Sequence, residues 1–543
     1  MNLLIQAIEG GSMTKSQCEN NKTAPIHRSW IKQGVIGTVV AVGLGALSIL
    51  PVHAQDKTIV WGKKLEATLL DPATSILASS WELLHVVYDG LTDTDENMEA
   101  IPGLAESWEV SADGTQYVFK LRQGIKFSNG RDVTPDDVIG SLQRMMDPKT
   151  GSFFRLQLGN VKSMSSSDSR TVTIELEEPY APLLTALSSS MASIIPMKEV
   201  NDGSLDLQKD TLGTGPFMVQ SHAMGDEWVL VRNPYYYEPG LPKADKLIVR
   251  IMPSDQALIA GLRSGDVHVA QFDSSPDAKM LLQTLDNVEI VQNQQSNMYW
   301  LVVNAVKEDS PFTNQLVRQA VALSIDRKQI ANMLGGGAQP STAFAPMFNA
   351  CDANQLDIFE RDVKRAKALL KEAGVGKMTL DMPNVPGAVN DAMYAVLQKN
   401  FADIGITVNI ENMDEGTWVS KVWVDNPMSV DLTGLWYAGY SDAIMVPLWL
   451  NPNKAGFTAG YQIDDAEMNA AVDGLRGLAG DDPNRPAALQ NVCNMIHTQA
   501  NHIPLVTRQE TMAYRSDLID ASGIKHIDGY ANNLADVETY TLH

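Results

Sequence analysis

Cysteine is almost missing: three residues in 543, at spacings that suit no metal site. Cys18 lies upstream of the first apolar run, so it is not a lipid-attachment cysteine. Cys351 and Cys493 remain, and sequence separation leaves open whether they pair or stay as two buried thiols. Basic residues are the minority. Against 65 Asp and Glu stand 42 Lys and Arg, a formal net charge of −23. Such a balance argues against nucleic acid or an anionic membrane surface as a partner. It does not demand a cationic ligand, because acidity also serves solubility. The chain has no Gly-x-Ser-x-Gly, no phosphate loop and no His-Glu-x-x-His. His497 and His502 are five apart and do not share a helical face, while His85, His222 and His268 are isolated. Metal, cofactor and nucleophile–base chemistry therefore find no foothold, and no cofactor is expected. No repeat of fixed period and no low-complexity linker occurs, and after the N-terminal region no apolar run is long enough to span a bilayer.

What is present begins at the N-terminus. Lys15, Lys22, Arg28 and Lys32 precede an apolar run from Gly34 to Leu50, followed by Pro51-Val52-His53-Ala54. Basic, apolar and small-residue segments in that order predict a secretory signal over 1–54, cleaved after Ala54. An uncleaved anchor is the alternative, as is a translation start at Met13, because the residues before it carry no basic character. Removing the leader takes away four basic and two acidic residues and leaves the mature chain more acidic still.

At this length the chain needs more than one core. Thr58 to Trp61 reads as a strand, and Trp81, Leu84, Val87 and Tyr88 share a helical face. The stretch from Trp108 to Asp137 is the richest. Asp113-Gly114 predicts a hairpin turn, Tyr117, Phe119 and Leu121 alternate as a strand, and Asn129-Gly130 turns the chain again. Thr134-Pro135-Asp136-Asp137 opens a helix, with Thr134 as N-cap and Pro135 at the first helical position. A strand pair turns at Ser167-Asp168-Ser169. Gly213-Thr214-Gly215-Pro216-Phe217 imposes a specific backbone path, and Trp228 to Tyr236 is a strand ending at Asn-Pro before aromatics. Leu247 to Ile251 is a strand and Asp255 to Leu262 a helix closed by Arg263-Ser264-Gly265. The second half alternates. Strand Thr379–Met382, helix Asp391–Ile404 and strand Gly405–Ile410 imply parallel α/β packing.

Taken in this order, these motifs resemble the bacterial extracellular solute-binding proteins of the peptide, opine and nickel class, family 5. The resemblance covers nearly the whole mature chain. It implies an α/β, two-lobed periplasmic binding protein of Venus-flytrap type, of the large class with an extra subdomain inserted in the first lobe. Segments 55–88, 211–297 and 505–543 would form that lobe, 89–210 the insertion and 298–504 the second lobe. The crossings would lie at Tyr299–Asn304 and around Ile503–Val506. The implied function is non-enzymatic: the periplasmic component of an ABC importer captures a peptide or peptide-like solute by hinge closure. It would act as a monomer and hand the solute to permease subunits in the inner membrane. A non-peptide solute (opine, sugar, nickel chelate) stays open, as does a secreted hydrolase or a periplasmic holdase.

The resemblance also nominates ligand-binding residues. Trp436, in Gly434-Leu435-Trp436-Tyr437-Ala438-Gly439-Tyr440-Ser441-Asp442, matches the family's cleft tryptophan. Tyr437 and Tyr440 would extend a stacking wall. The aspartate that pairs with a peptide amine in relatives is Gly439 here, and Asp442 can substitute. Leu69, in the loop Ala67–Pro72, and Tyr299 complete the set. Tyr299 and Trp300 are adjacent on a strand, so only one of them can face the cleft. Trp418 and Trp423 read as packing residues. The loop Met382–Val389 lacks the Arg and Tyr of dipeptide-binding relatives.

Overall fold

Two long strands organise the molecule. Val288–Val303 and His502–Arg515 run antiparallel and lie side by side inside an eight-stranded mixed sheet. On one flank the sheet continues through Val269–Phe272, Thr58–Lys63, Lys246–Ile251, Glu227–Arg232 and Phe217–Ala223; on the other it ends at Leu432–Tyr437. The long pair therefore passes from one half of the fold to the other, and its ladder breaks where it does so. The register slips between Gln294 and Met298, and again between Tyr299 and Trp300. The second slip has a plain cause: the partner of Trp300 is Pro504, which has no N–H to give the ladder.

The computed structural model describes residues 57–543 except 153, 273–275, 336, 425–427, 438–439, 441, 455–459 and 526–533. The expected signal over 1–54 and its apolar run lie outside the described residues, as do the side chains of Trp423, Trp436 and Tyr437. Among the described residues no helix is long and apolar enough to cross a membrane.

The halves have separate cores. One gathers Ile59, Trp61, Leu230, Leu247 and Val249; the other gathers Leu301, Val321, Leu323, Phe401 and Val506. The chain is thus two-lobed. The expected strand–helix–strand unit of the second lobe is present. Met378–Asn384 pairs in parallel with Ile406–Asn412, and the helix Ala388–Asp403 crosses between them. Around the first lobe, the motifs fold as their residues dictate. Gly114 takes φ +68° in the hairpin between Ala105–Val110 and Gln116–Leu121. Thr134 and Asp137 form a reciprocal capping box on the helix Pro135–Met146. Gly213 is required by close approach: a Cβ there would stand 1.9 Å from the Val87 carbonyl oxygen, at the end of the helix Ala78–Val87.

Two features exceed the sequence reading. Cys351 and Cys493 are joined as a disulfide, which settles the alternative left open above. And the four-stranded sheet built from Ala105–Val110, Gln116–Leu121, Val161–Asp168 and Thr171–Leu176 does not keep a private core. Its Phe119 and Val172, with Leu142 of the helix Pro135–Met146, belong to one buried cluster that continues into Met445, Leu450, Val492 and Ile496. The Ala181 amide donates to the Arg476 carbonyl at 2.7 Å across this junction, and the Arg476 guanidinium lies 5.7 Å from the Tyr180 ring centroid.

Candidate functional site

Where the ladder slips, a cavity of about 400 Å³ opens, within the size range of small-molecule sites, about 300–1,000 Å³. Leu65, Ile76 to Ser79 and Trp81 line it from one end of the chain, Phe154 from the loop after the helix Pro135–Met146, Tyr299 and Arg508 from the long strands, and residues between Val385 and Trp449 supply the rest. Seven of its twenty described lining residues are aromatic. Trp81 meets Phe154 edge-on at 5.6 Å between centroids, Phe154 meets Trp449 edge-on at 6.3 Å, and Trp449 lies 6.3 Å from Tyr440. Rings from opposite sides of the cleft thus form one continuous surface, and edge-to-face packing holds them in fixed relative orientation.

Local sequence explains how these rings are held. The Trp81 indole donates to the Ser75 carbonyl at 3.0 Å, pinning the helix start to its loop. In the second lobe the Tyr394 hydroxyl accepts from the Gly434 amide at 3.0 Å and donates to the Pro383 carbonyl at 3.2 Å. It ties together two cleft-lining segments, and burial pushes its phenol up to about 12, so it stays neutral. Gly434 must be glycine: a Cβ would come within 2.7 Å of the Tyr394 ring. The Trp418 indole donates to Thr433 at 3.2 Å.

The nominated residues divide. Tyr299 and Tyr440 border the cavity. Trp300 faces the opposite side of the strand and is fully buried in the core, as the alternation rule requires. The backbones of Trp436 and Tyr437 pair with Tyr299 and Met298, which sets them beside the cavity strand; their side chains are outside the described residues. Leu69 is half-buried and is not among the lining residues. Asp442 also lies off the lining. It pairs with Arg485 and accepts from the Ile444 amide at 2.8 Å. Trp418, read from sequence as packing, is half-buried and borders the cavity. Missed altogether were Phe154, Trp449, Glu415 and Arg508. Only Arg508 left a trace in sequence, as the first cation after the apolar run Ile503–Val506.

The histidines take no part. His497 and His502 are buried, and loss of hydration holds both imidazoles down near 3, so they are neutral at ordinary pH. Among the described residues no group of three His, Cys, Asp or Glu side chains is placed to hold a metal ion.

This geometry has known counterparts. The model of the bacterial extracellular solute-binding proteins, family 5 (middle region) matches residues 99–457. The chain belongs to this family. Among curated relatives, the glutathione-binding protein GsiB of Escherichia coli K12 is 26% identical over 509 residues, covering 91% of this chain and 96% of that protein. Solved structures share the fold. The periplasmic binding protein AgaA from A. tumefaciens R10, in complex with agropinic acid, gives a TM-score of 0.80 at 22% identity, over 90% of this chain and 99% of that one. DppA from Helicobacter pylori, in complex with the peptide STSA, gives 0.77 at 23% identity, over 89% and 98%. The two-lobed architecture expected from the motifs is the architecture of these proteins. The family consists of solute-binding transport proteins found outside the cytoplasm.

Proposed function

We propose that this family 5 chain is the periplasmic capture component of an ABC importer. It closes two lobes over a peptide or peptide-like small solute and delivers it to permease subunits in the inner membrane. The observation that carries this reading is the aromatic cavity at the slipped ladder, lined from both lobes and from the two strands that join them. A solute there touches surfaces that meet only when the lobes approach. Its binding energy therefore selects the closed state, and nothing else is needed to drive closure. The relatives bound to a short peptide and to agropinic acid, and the glutathione-binding curated relative, support a compact, amino-acid-derived solute.

We read the site as one that holds rather than transforms. Edge-packed rings and few charged groups suit retention of an intact solute. We also place export on the leader over 1–54, and the division into segments 55–88, 89–210, 211–297, 298–504 and 505–543 as drawn from the motifs. The mature chain would work as a monomer.

A thermal-shift screen with short peptides, opines, nickel chelates and sugars tests the reading. One class should raise the melting temperature in a dose-dependent way by mass action and be recovered unchanged. Turnover of the stabilising compound by pure protein would overturn it, as would suppression of client aggregation with no stabilising solute.

A further inference from the structure

Among the described lining residues the aromatic cavity carries one cation, Arg508, and one anion, the exposed Glu415 at the start of the helix Glu415–Val419. Arg508 sits on the long strand His502–Arg515 beside the first register slip, where the paired residues jump from Gln509 to Thr507. Its position is fixed from behind by a chain of buried groups. Period-two spacing puts Glu510 on the same face of the strand, and its carboxylate accepts from the Arg508 Nη2 at 2.8 Å. Glu510 is only 2% exposed. Its other oxygen accepts from the Gln271 amide at 2.8 Å, and the same nitrogen donates to Glu82 at 3.0 Å. Glu82, also buried, pairs with Lys63 at the end of the first strand. From the cleft inward the order is thus cation, carboxylate, the neutral Gln271 amide that both carboxylates share, carboxylate, cation.

Burying four charges costs far more than a packed apolar core of the same shape would. The arrangement orders a guanidinium against an aromatic cleft. A guanidinium fork matches a carboxylate in plane and spacing, and a supporting shell that locks its rotamer is what a specific site requires. Resting on the capture reading above, we propose that Arg508 is the anion anchor of this cleft. The solute it admits is a compact acid with an apolar or aromatic body, its carboxylate received by the guanidinium. Glu510, Gln271, Glu82 and Lys63 are positioning residues, because they act through Arg508. A neutral sugar lacks the group that this cation recognises.

The test is titration calorimetry on the mature chain with phenylalanine-containing di- and tripeptides and their C-terminal amides. N-carboxyalkyl amino acids and neutral disaccharides complete the panel. The first and third sets distinguish a peptide carboxylate from another organic acid. Free acids should bind at least about tenfold more tightly than their amides. Arg508→Lys, which keeps a charge for Glu510, should retain part of that preference, and Arg508→Gln should lose it. The acid-to-amide ratio is read within each variant, so a general loss of stability does not mimic the result. Should Arg508→Gln fail to fold, Arg508→Lys decides alone, and an unchanged ratio there overturns the proposal. Equal binding of acids and amides by the unaltered chain, or binding of disaccharides alone, overturns the anchor and leaves the capture reading standing. Binding of nothing in the panel overturns both.

Discussion

Two arginine–carboxylate pairs sit a short way from the aromatic wall, and they differ in what lies on their open side. Arg485–Asp442 faces protein. The Arg485 guanidinium also donates to the Leu478 carbonyl at 2.7 Å, and Asp442 caps its own turn through Ile444. Together they clamp a loop to the start of the helix Arg485–Gln499. Arg508–Glu510 borders the cavity. Residue type and burial alone do not separate these pairs, since both arginines are mostly buried. The difference lies in whether the cation borders a solute-sized space. The loop that resemblance nominated, holding Asp442, carries the pair that faces protein, and the strand that sequence read only as a crossing carries the pair at the cavity.

Breaking the supports should expose that difference, and the largest effect belongs to Glu510. Glu510→Ala leaves Arg508 without its buried carboxylate, which should cost about 3–5 kcal/mol of stability. Chemical denaturation measures it. The same variant should lose much of the discrimination between acid and amide solutes, since the cation is no longer oriented.

Asp442→Asn should act on the fold and spare the solute. We expect a loss of about 1–3 kcal/mol, the cost of leaving a partly buried partner unsatisfied. Solute affinity should change by less than about threefold. An affinity loss confined to amine-bearing solutes would return Asp442 to the amine-anchor role that its place in the loop suggested.

Arg476 probes a third location, off the cavity lining, where the segment around Tyr180 meets the end of the helix Ala466–Leu475. Its guanidinium lies over Tyr180 and is 3.8 Å from Glu178. Arg476→Ala should weaken capture severalfold for every solute alike, because it favours the open state rather than removing a contact. Small-angle scattering of the free and loaded variant would show the shift. Selective loss for acids would place Arg476 in the site instead.

The most graded effect is on pH. His497 and His502 have folded-state values near 3, against about 6.5 for an exposed imidazole. Depressed values mean that the unfolded chain binds more protons between these limits. Stability is therefore fully present above about pH 6.5 and falls as pH drops towards 3, by up to about 1.4 kcal/mol per unit for each imidazole. Melting curves from pH 7 to pH 4 should show this slope, and His497→Gln with His502→Gln should flatten it.

Much of the fold was legible because it is written in local chemistry. Asp113-Gly114 needs a turn with positive φ, Thr134-Pro135 starts a helix, and the parallel pair from Met378 and Ile406 follows from strand–helix–strand spacing. The site was legible only in part. Tyr299 and Tyr440 were named and border the cavity, and strand alternation explains why Trp300, beside Tyr299, does not. Phe154 and Trp449 were not, because each looks like any core aromatic until the chain brings them edge to edge across nearly three hundred residues.

Through its resemblance to family 5 the sequence implied the two-lobed α/β class, and by itself it determined the elements and their order. These depend on backbone preferences and apolar spacing within a few residues. Only the tertiary structure decided that Cys351 meets Cys493, that the inserted sheet shares a core with the second lobe, and that Arg508 rather than Asp442 borders the cleft. Those outcomes depend on the pairing of Val288–Val303 with His502–Arg515, and a contact between segments so far apart leaves no local periodicity to read.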